Sequence, residues 1–181
     1  MLSVFDGLRS VTTLSVFVRL ACAFICGGII GIERSYKRRP AGFRTHILIC
    51  IGAAITTLTS QYLYLNMHYF TDMARLGAQV VAGIGFIGAG TIIVTKRQRV
   101  KGLTTAAGLW TSAIIGLTFG GGFYEGGILA TVFIMLAELV FSRIEYRVLE
   151  MCRRSICIWN TSTSTVWMMC FSSTAAAILK C

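Results

Sequence analysis

Residues 103–141 read LTTAAGLWTSAIIGLTFGGGFYEGGILATVFIMLAELVF, and their only charged side chains are Glu125 and Glu138. A single helix of this length would be about 58 Å long, nearly twice the thickness of the hydrocarbon layer of a bilayer. Glycines at 120–122 and 126–127 lie in the middle of the stretch, where they favour a break. The stretch therefore predicts two membrane-spanning helices, at 103–119 and 124–141.

Three further apolar segments precede this stretch, at 14–32, 46–65 and 74–94. Each is close to the 20 or so apolar residues that a spanning helix needs. Hydrophobic residues make up 55% of the 181-residue chain and charged residues 13%, about half the charged fraction of a soluble domain. We therefore expect an all-α integral membrane protein in which residues 1–147 form a compact bundle of about five transmembrane helices.

The basic residues indicate the orientation of this bundle. Of 17 Lys and Arg, fourteen lie in residues 33–45, in residues 95–102 and after the fifth span. Such an excess marks cytoplasmic loops, so the N-terminus is predicted outside and the C-terminus in the cytoplasm. The net charge is +10. Because the basic residues that produce it lie beside apolar spans, they indicate the lipid bilayer as a partner and no nucleic acid.

Small residues recur at helical spacing in four of the predicted spans. In membranes such residues permit close helix contact, so we expect them to mark the faces along which the spans pack. The stripes are Gly27 and Gly31; Gly52, Thr56 and Ser60; Ala78, Ala82, Gly85 and Ala89; and Gly108, Ser112, Gly116 and Gly120.

Few charged residues lie within the spans or at their ends. Arg19 lies within two turns of a span end and is expected to extend its head to the interface, while Asp72 is expected to cap the third span. The alternative for Asp72 is a contribution to an external Mg²⁺ site, but one carboxylate is a poor site for this ion, so no metal site is assigned.

Gly83–Gly88 matches the G-x-G-x-x-G pattern, but a membrane span precedes it and no acidic residue follows at the required distance. We interpret it as a close-packing segment, with local unwinding at Gly88–Gly90. The chain has no nucleophile–base pair, cofactor motif or metal cluster, so neither an enzyme activity nor a cofactor is predicted.

Three blocks carry a family resemblance: GIERSYKRRPAGFRTHIL at 31–48, ARLGAQVVAGIGFIGAGTII at 74–93 and VKGLTTAAGLWTSAIIGL at 100–117. They resemble the MgtC/SapB family of bacterial inner-membrane proteins. The resemblance implies a multi-pass protein that supports adaptation to low Mg²⁺, and survival inside macrophages in pathogens. It also implies regulation of a membrane partner such as the F1Fo ATP synthase; the alternative is a transporter of Mg²⁺ or another cation. Association into a homo-oligomer is left open.

The same resemblance assigns candidate residues for partner contact or structure. At Thr104 some virulence-associated members have Asn, and at Thr111 they have Cys, so inheritance of their specific activity is not implied. The candidate residues are Glu33, Arg34, Gly42, Arg44, Thr45, Asp72, Arg75, Gln79, Gly83, Gly85, Gly88, Gly90, Gly102, Leu103, Thr104, Thr105, Trp110 and Thr111.

The first block also predicts a local geometry. Glu33 and Arg34 end the first span and Arg44 begins the second, so a short turn would bring them onto one interfacial shelf. Arginine there could bind a carboxylate or helix-end carbonyls in a way that lysine does poorly. Thr104 or Thr105 is expected to cap the fourth span.

Residues 148–181 are unlike the rest of the chain. After Cys152 there is no acidic residue, and the apolar segment 166–179 is too short to cross a membrane. We interpret this tail as an atypical cytoplasmic segment, truncated or frameshifted, without the ACT-like domain of longer family members, and assign it no function.

Overall fold

The computed structural model describes residues 10–68, 72–94, 100–144 and 147. Loop residues 95–99 and the tail 148–181 lie outside the described residues, as do the predictions made for them. The elements are α1 (Thr13–Tyr36), α2 (Phe43–Leu65), α3 (Ala74–Thr91), β1 (Ile93–Val94), β2 (Val100–Lys101), α4 (Leu103–Gly120), α5 (Tyr124–Leu136) and a π-helical segment, Ala137–Phe141.

The prediction of an all-α membrane protein is confirmed. Four segments are long and apolar enough to cross a bilayer: Thr13–Tyr36, Phe43–Leu65, Leu103–Gly120 and Tyr124–Ile144. The break in the decisive stretch falls where the glycines predicted it, because α4 ends at Gly120 and α5 begins at Tyr124. The third predicted span is the helix α3, which is shorter than predicted and is not among the four segments long and apolar enough to cross a bilayer.

The chain divides into two compact units, residues 1–134 and 135–181. In the first unit, α1 and α2 form an antiparallel hairpin in which Gly31 lies against Phe43 and Gly27 against Cys50. Helix α4 packs on this hairpin with Gly116 against the Cys50 carbonyl. The described part of the second unit is helical from Met135 to Ile144 and includes the π-helical segment Ala137–Phe141.

Close packing at two of the glycine stripes is confirmed. A Cβ atom added to Gly116 would overlap the carbonyl oxygen of Cys50, and one added to Gly120 would lie 2.5 Å from the carbonyl oxygen of Ala54. Likewise, a Cβ at Gly31 would lie 2.7 Å from the Cα atom of Phe43. Only glycine permits these approaches, so α1, α2 and α4 pack with their backbones nearly in contact.

The α3 stripe was predicted wrongly, and the α2 stripe holds only at Ser60, which is buried and donates a hydrogen bond of 2.8 Å to the Met73 carbonyl. Ala78, Ala82, Gly85 and Ala89 of α3 are all exposed, and Gly52 of α2 meets nothing within 4 Å. Helix α3 instead packs on α4 through a different face, with Gly77 near Leu117 and Gly88 near Ala106. Periodicity identifies a face of a helix but does not determine which face meets a neighbour.

Two local predictions also fail. Helix α3 runs unbroken from Ala74 to Thr91, so no unwinding occurs at Gly88–Gly90. Neither Thr104 nor Thr105 caps α4, because the capping position is Gly102, with φ of 97° and no side-chain hydrogen bond. Gly102 closes the β1–β2 hairpin onto α4 so tightly that an added Cβ would overlap the carbonyl oxygen of Thr91.

Candidate functional site

Arg34 is the centre of a buried polar cluster where α1 ends and α4 begins. The residue is only 1% exposed, and its Nη2 donates a hydrogen bond of 3.1 Å to the backbone carbonyl of Thr104. Gly108, one turn further along α4, leaves the space that the guanidinium occupies, since a Cβ there would lie 2.9 Å from Nη2. The arginine therefore ties α1 to the first turn of α4.

Glu33 provides the negative charge of this cluster. Its Oε1 lies 2.5 Å from Nζ of Lys37, one turn further along α1, and its Oε2 lies 3.9 Å from Nε of Arg34. The carboxylate is 8% exposed. Burial of the Arg34 charge without a counter-charge would be costly, and the nearby carboxylate of Glu33 offsets part of that cost.

His46 of α2 is completely buried. Its Nδ1 lies 2.9 Å from the carbonyl oxygen of Gly42; since a carbonyl only accepts, Nδ1 is the protonated nitrogen. Within the described residues Nε2 has no hydrogen-bonding partner. The imidazole therefore binds the backbone at the start of its own helix.

The turn between α1 and α2 is closed by Ser35, whose Oγ accepts a hydrogen bond of 2.8 Å from the backbone N–H of Phe43. A Cβ at Gly42 would lie 2.7 Å from that oxygen, which accounts for glycine at this position. Thr45 is half-buried and Arg44 is exposed on α2. The structure thus brings Glu33 and Arg34 together as predicted, but Arg44 lies outside their cluster.

Arg19 forms a second buried centre, at the opposite end of α1. The side chain is completely buried, and its Nη1 donates to Oε1 of Gln61 at 2.7 Å and to the carbonyl of Gly120 at 2.8 Å. The prediction that Arg19 extends to the interface is therefore wrong. The guanidinium binds the carbonyl at the end of α4 and a side chain of α2, so it links three helices.

The remaining predicted residues lie apart from both centres. Arg75, Gln79, Gly83, Gly85 and Gly90 are on the exposed side of α3, while Gly88 packs on α4. Leu103 is exposed, Trp110 is partly exposed and Thr105 is buried. Thr111 donates a hydrogen bond of 3.0 Å to the Gly108 carbonyl within its own helix.

Asp72 is at the start of α3 as predicted. Its Oδ1 accepts a hydrogen bond of 2.9 Å from the backbone N–H of Ala74, which satisfies one of the free donors of the first helical turn. The residue is exposed. Among the described residues no group of three or more His, Cys, Asp or Glu side chains is placed to hold a metal ion.

The two arginine centres bind backbone carbonyls of neighbouring helices and hold those helices in position. Each guanidinium offers several donors in one plane to backbone carbonyls in an apolar interior, where such bonds are stronger than in water. Arg19 fastens one end of the α1–α2–α4 group and Arg34 the other. The arrangement fixes the helices relative to one another.

The sequence reasoning did not assign Lys37, Gln61 or Gly122 to these centres, did not predict the burial of His46, and named Gly108 and Gly120 only as packing residues. In the structure, a Cβ at Gly108 or Gly122 would lie within 3.0 Å of a guanidinium nitrogen. The presence of glycine at these positions was therefore a sequence feature related to the buried arginines. Glycine opposite an intramembrane arginine could have indicated a space for its head. Gln61 and His46 carried no comparable signal.

Comparison with known proteins is consistent with these findings. The sequence profile of the MgtC family matches residues 20–147. The "Putative magnesium transporter YhiD" of Escherichia coli strain K12 is 42% identical over 142 residues, which cover 76% of this chain and 66% of that protein. "Protein MgtC" of Brucella abortus strain 2308 is 44% identical over 116 residues, which cover 64% of this chain and 47% of that protein.

A protein of Haemophilus influenzae is 40% identical over 129 residues, covering 68% of this chain and 54% of that protein. The chain therefore spans about half to two-thirds of the length of the relatives it matches. No solved structure matches it.

Proposed function

The chain belongs to the MgtC family, and from this premise we propose that it supports adaptation to low Mg²⁺ by regulating a membrane protein partner, without transporting the ion itself. As a member of a bacterial membrane family with four candidate spans, it is a multi-pass membrane protein. The proposed partner is the F1Fo ATP synthase, whose restraint would lower ATP and preserve the proton gradient. A non-enzymatic role and, in pathogens, support of survival inside host cells belong to the same proposal.

The observation that carries the proposal is the pair of buried arginines. Arg19 and Arg34 lie among α1, α2 and α4, three helices whose glycines bring their backbones close together. Positive charges in a region of low dielectric oppose the entry of a second cation. Because this interior favours rigid helix positions over cation passage, an action through surface contacts with another protein is the better supported function.

The experiment compares cells with and without the protein after transfer to low-Mg²⁺ medium. We expect the producing cells to have less ATP and a steadier membrane potential than the deletion strain, and to grow better. The Arg34→Gln variant at matched membrane abundance serves as a control for the mere presence of a membrane protein. Identical ATP and potential in all strains would count against the proposal.

The alternative is transport of Mg²⁺ or another cation. It is favoured by the name of the Escherichia coli K12 relative, which describes that protein as a magnesium transporter. In this chain the candidate ligand would be Asp72, whose exposed carboxylate already binds the Ala74 N–H. Transport requires that the purified protein alone carry Mg²⁺ across a bilayer, whereas regulation requires a partner.

A further inference from the structure

One end of the bundle carries exposed basic residues almost without acidic ones. The hydrogen bond from Arg34 to the Thr104 carbonyl places the α1–α2 turn and the start of α4 at the same end. Among the described residues of the first unit, the acidic side chain at this end is Glu33, which is buried and paired with Lys37. The exposed basic residues, which we name the basic face, are Arg38, Arg39, Arg44 and Lys101.

Apolar side chains are exposed beside the basic face. Tyr36 is 88% exposed at the end of α1, and Ile93, Val94 and Val100 are exposed on the β1–β2 hairpin next to Lys101. Tyrosine and aliphatic side chains that adjoin basic ones are typical of segments at the boundary between acyl chains and headgroups. Against a nucleic acid or a soluble acidic protein, these apolar groups would remain in water.

We propose that the basic face binds the headgroups of anionic phospholipids, with Tyr36 and the hairpin side chains inserted beside them. The positive charges lie at the ends of membrane-spanning helices, at the level of the lipid headgroups. A negative headgroup can bind them there without entering a buried pocket and losing its water. The positive φ of Arg38, 51°, belongs to the turn that presents Arg38 and Arg39 side by side. The inference does not depend on the identity of the protein partner.

The test measures lipid binding to the purified full chain in neutral detergent by native mass spectrometry. Phosphatidylglycerol should bind more tightly than phosphatidylcholine, and Arg38→Gln with Arg39→Gln should weaken this binding about fivefold per charge removed. Arg38→Lys with Arg39→Lys should bind like the wild type, because the charge is kept. Arg75→Gln, which removes an exposed arginine at the opposite end, is the matched control and should also bind like the wild type.

Three results would overturn the proposal. Equal affinity of the wild type for the two lipids would remove the selectivity for negative headgroups. Equal losses per charge removed in the Arg38/Arg39 and Arg75 glutamine variants would show a general effect of charge instead of a defined face. Displacement of phosphatidylglycerol by the same concentration of inorganic phosphate would indicate a phosphate pocket in place of a lipid surface.

Discussion

Arg34 of α1 and Thr104 of α4 are 70 residues apart in the chain, and a hydrogen bond of 3.1 Å joins the guanidinium of one to the backbone carbonyl of the other. The bond crosses the bundle beside Gly108, where only a missing side chain leaves room for the arginine head. The acceptor is a backbone carbonyl, which is present whatever residue occupies position 104. The strength of the hydrogen bond therefore depends on the geometry of the donor group at position 34.

Arg34→Lys should therefore reduce function although it keeps the charge. An ammonium group cannot reach the Thr104 carbonyl and face Glu33 in the same geometry, and loss of a charged hydrogen bond costs about 1.5–3 kcal/mol. We expect weaker growth in low Mg²⁺ at matched membrane abundance. Arg44→Lys is the control and should grow like the wild type because Arg44 is exposed; wild-type growth of Arg34→Lys would mean that only its charge matters.

Arg19→Leu should destabilise the bundle. The substitution leaves the Gly120 carbonyl and the Gln61 side chain without the donor that now lies within 2.8 Å of each, and we expect the free energy of unfolding in detergent to fall by about 2–3 kcal/mol. Arg75→Leu, at an exposed position, should change it little. If both variants unfold like the wild type, Arg19 does not link the helices.

Gly116→Ala should be much more harmful than Gly83→Ala. A methyl group at Gly116 overlaps the Cys50 carbonyl oxygen, whereas one at Gly83 meets nothing within 4 Å. Overpacking costs about 1–3 kcal/mol, while alanine in an open helical position is neutral or stabilising by up to about 1 kcal/mol. Thermal unfolding of the two purified variants measures the difference, and equal midpoints would contradict the packing of α2 against α4.

Two substitutions of Asp72 distinguish a role in capping α3 from a role in metal binding. Asn keeps an oxygen that can accept from the Ala74 N–H, so Asp72→Asn should retain stability and growth in low Mg²⁺, while Asp72→Ala should lose about 1 kcal/mol. If Asp72→Asn abolishes growth in low Mg²⁺ without loss of stability, the carboxylate charge has a role beyond the cap.

Much of the fold could be predicted from the sequence because its determinants are local. The glycines at 120–122 lie where α4 ends, at the length that the thickness of a bilayer predicts. Gly31 and Gly116, which were predicted to lie at helix contacts, both contact α2. The burial of Arg19 could not be predicted, because its acceptors are 42 and 101 residues away. For the same reason the exposed stripe of α3 was mistaken for a contact face.

The candidate site was predicted in part. Glu33 and Arg34 are adjacent in the sequence and remain together in the structure, so a local argument was sufficient. Arg44 lies outside their cluster because it is on the exposed side of the first turn of α2, and the same rotation of the helix buries His46. These outcomes depend on the rotation of α2 about its axis, which the turn length alone does not determine.

The central claim, that the protein acts through a partner and not by moving Mg²⁺, is tested most directly by Mg²⁺ flux into liposomes that contain only the purified full chain. With an imposed Mg²⁺ gradient and membrane potential, the account predicts the same uptake as in protein-free liposomes, for the wild type and for Asp72→Asn alike. Uptake well above that of protein-free liposomes, lost in Asp72→Asn, would contradict the account and establish the chain as a transporter.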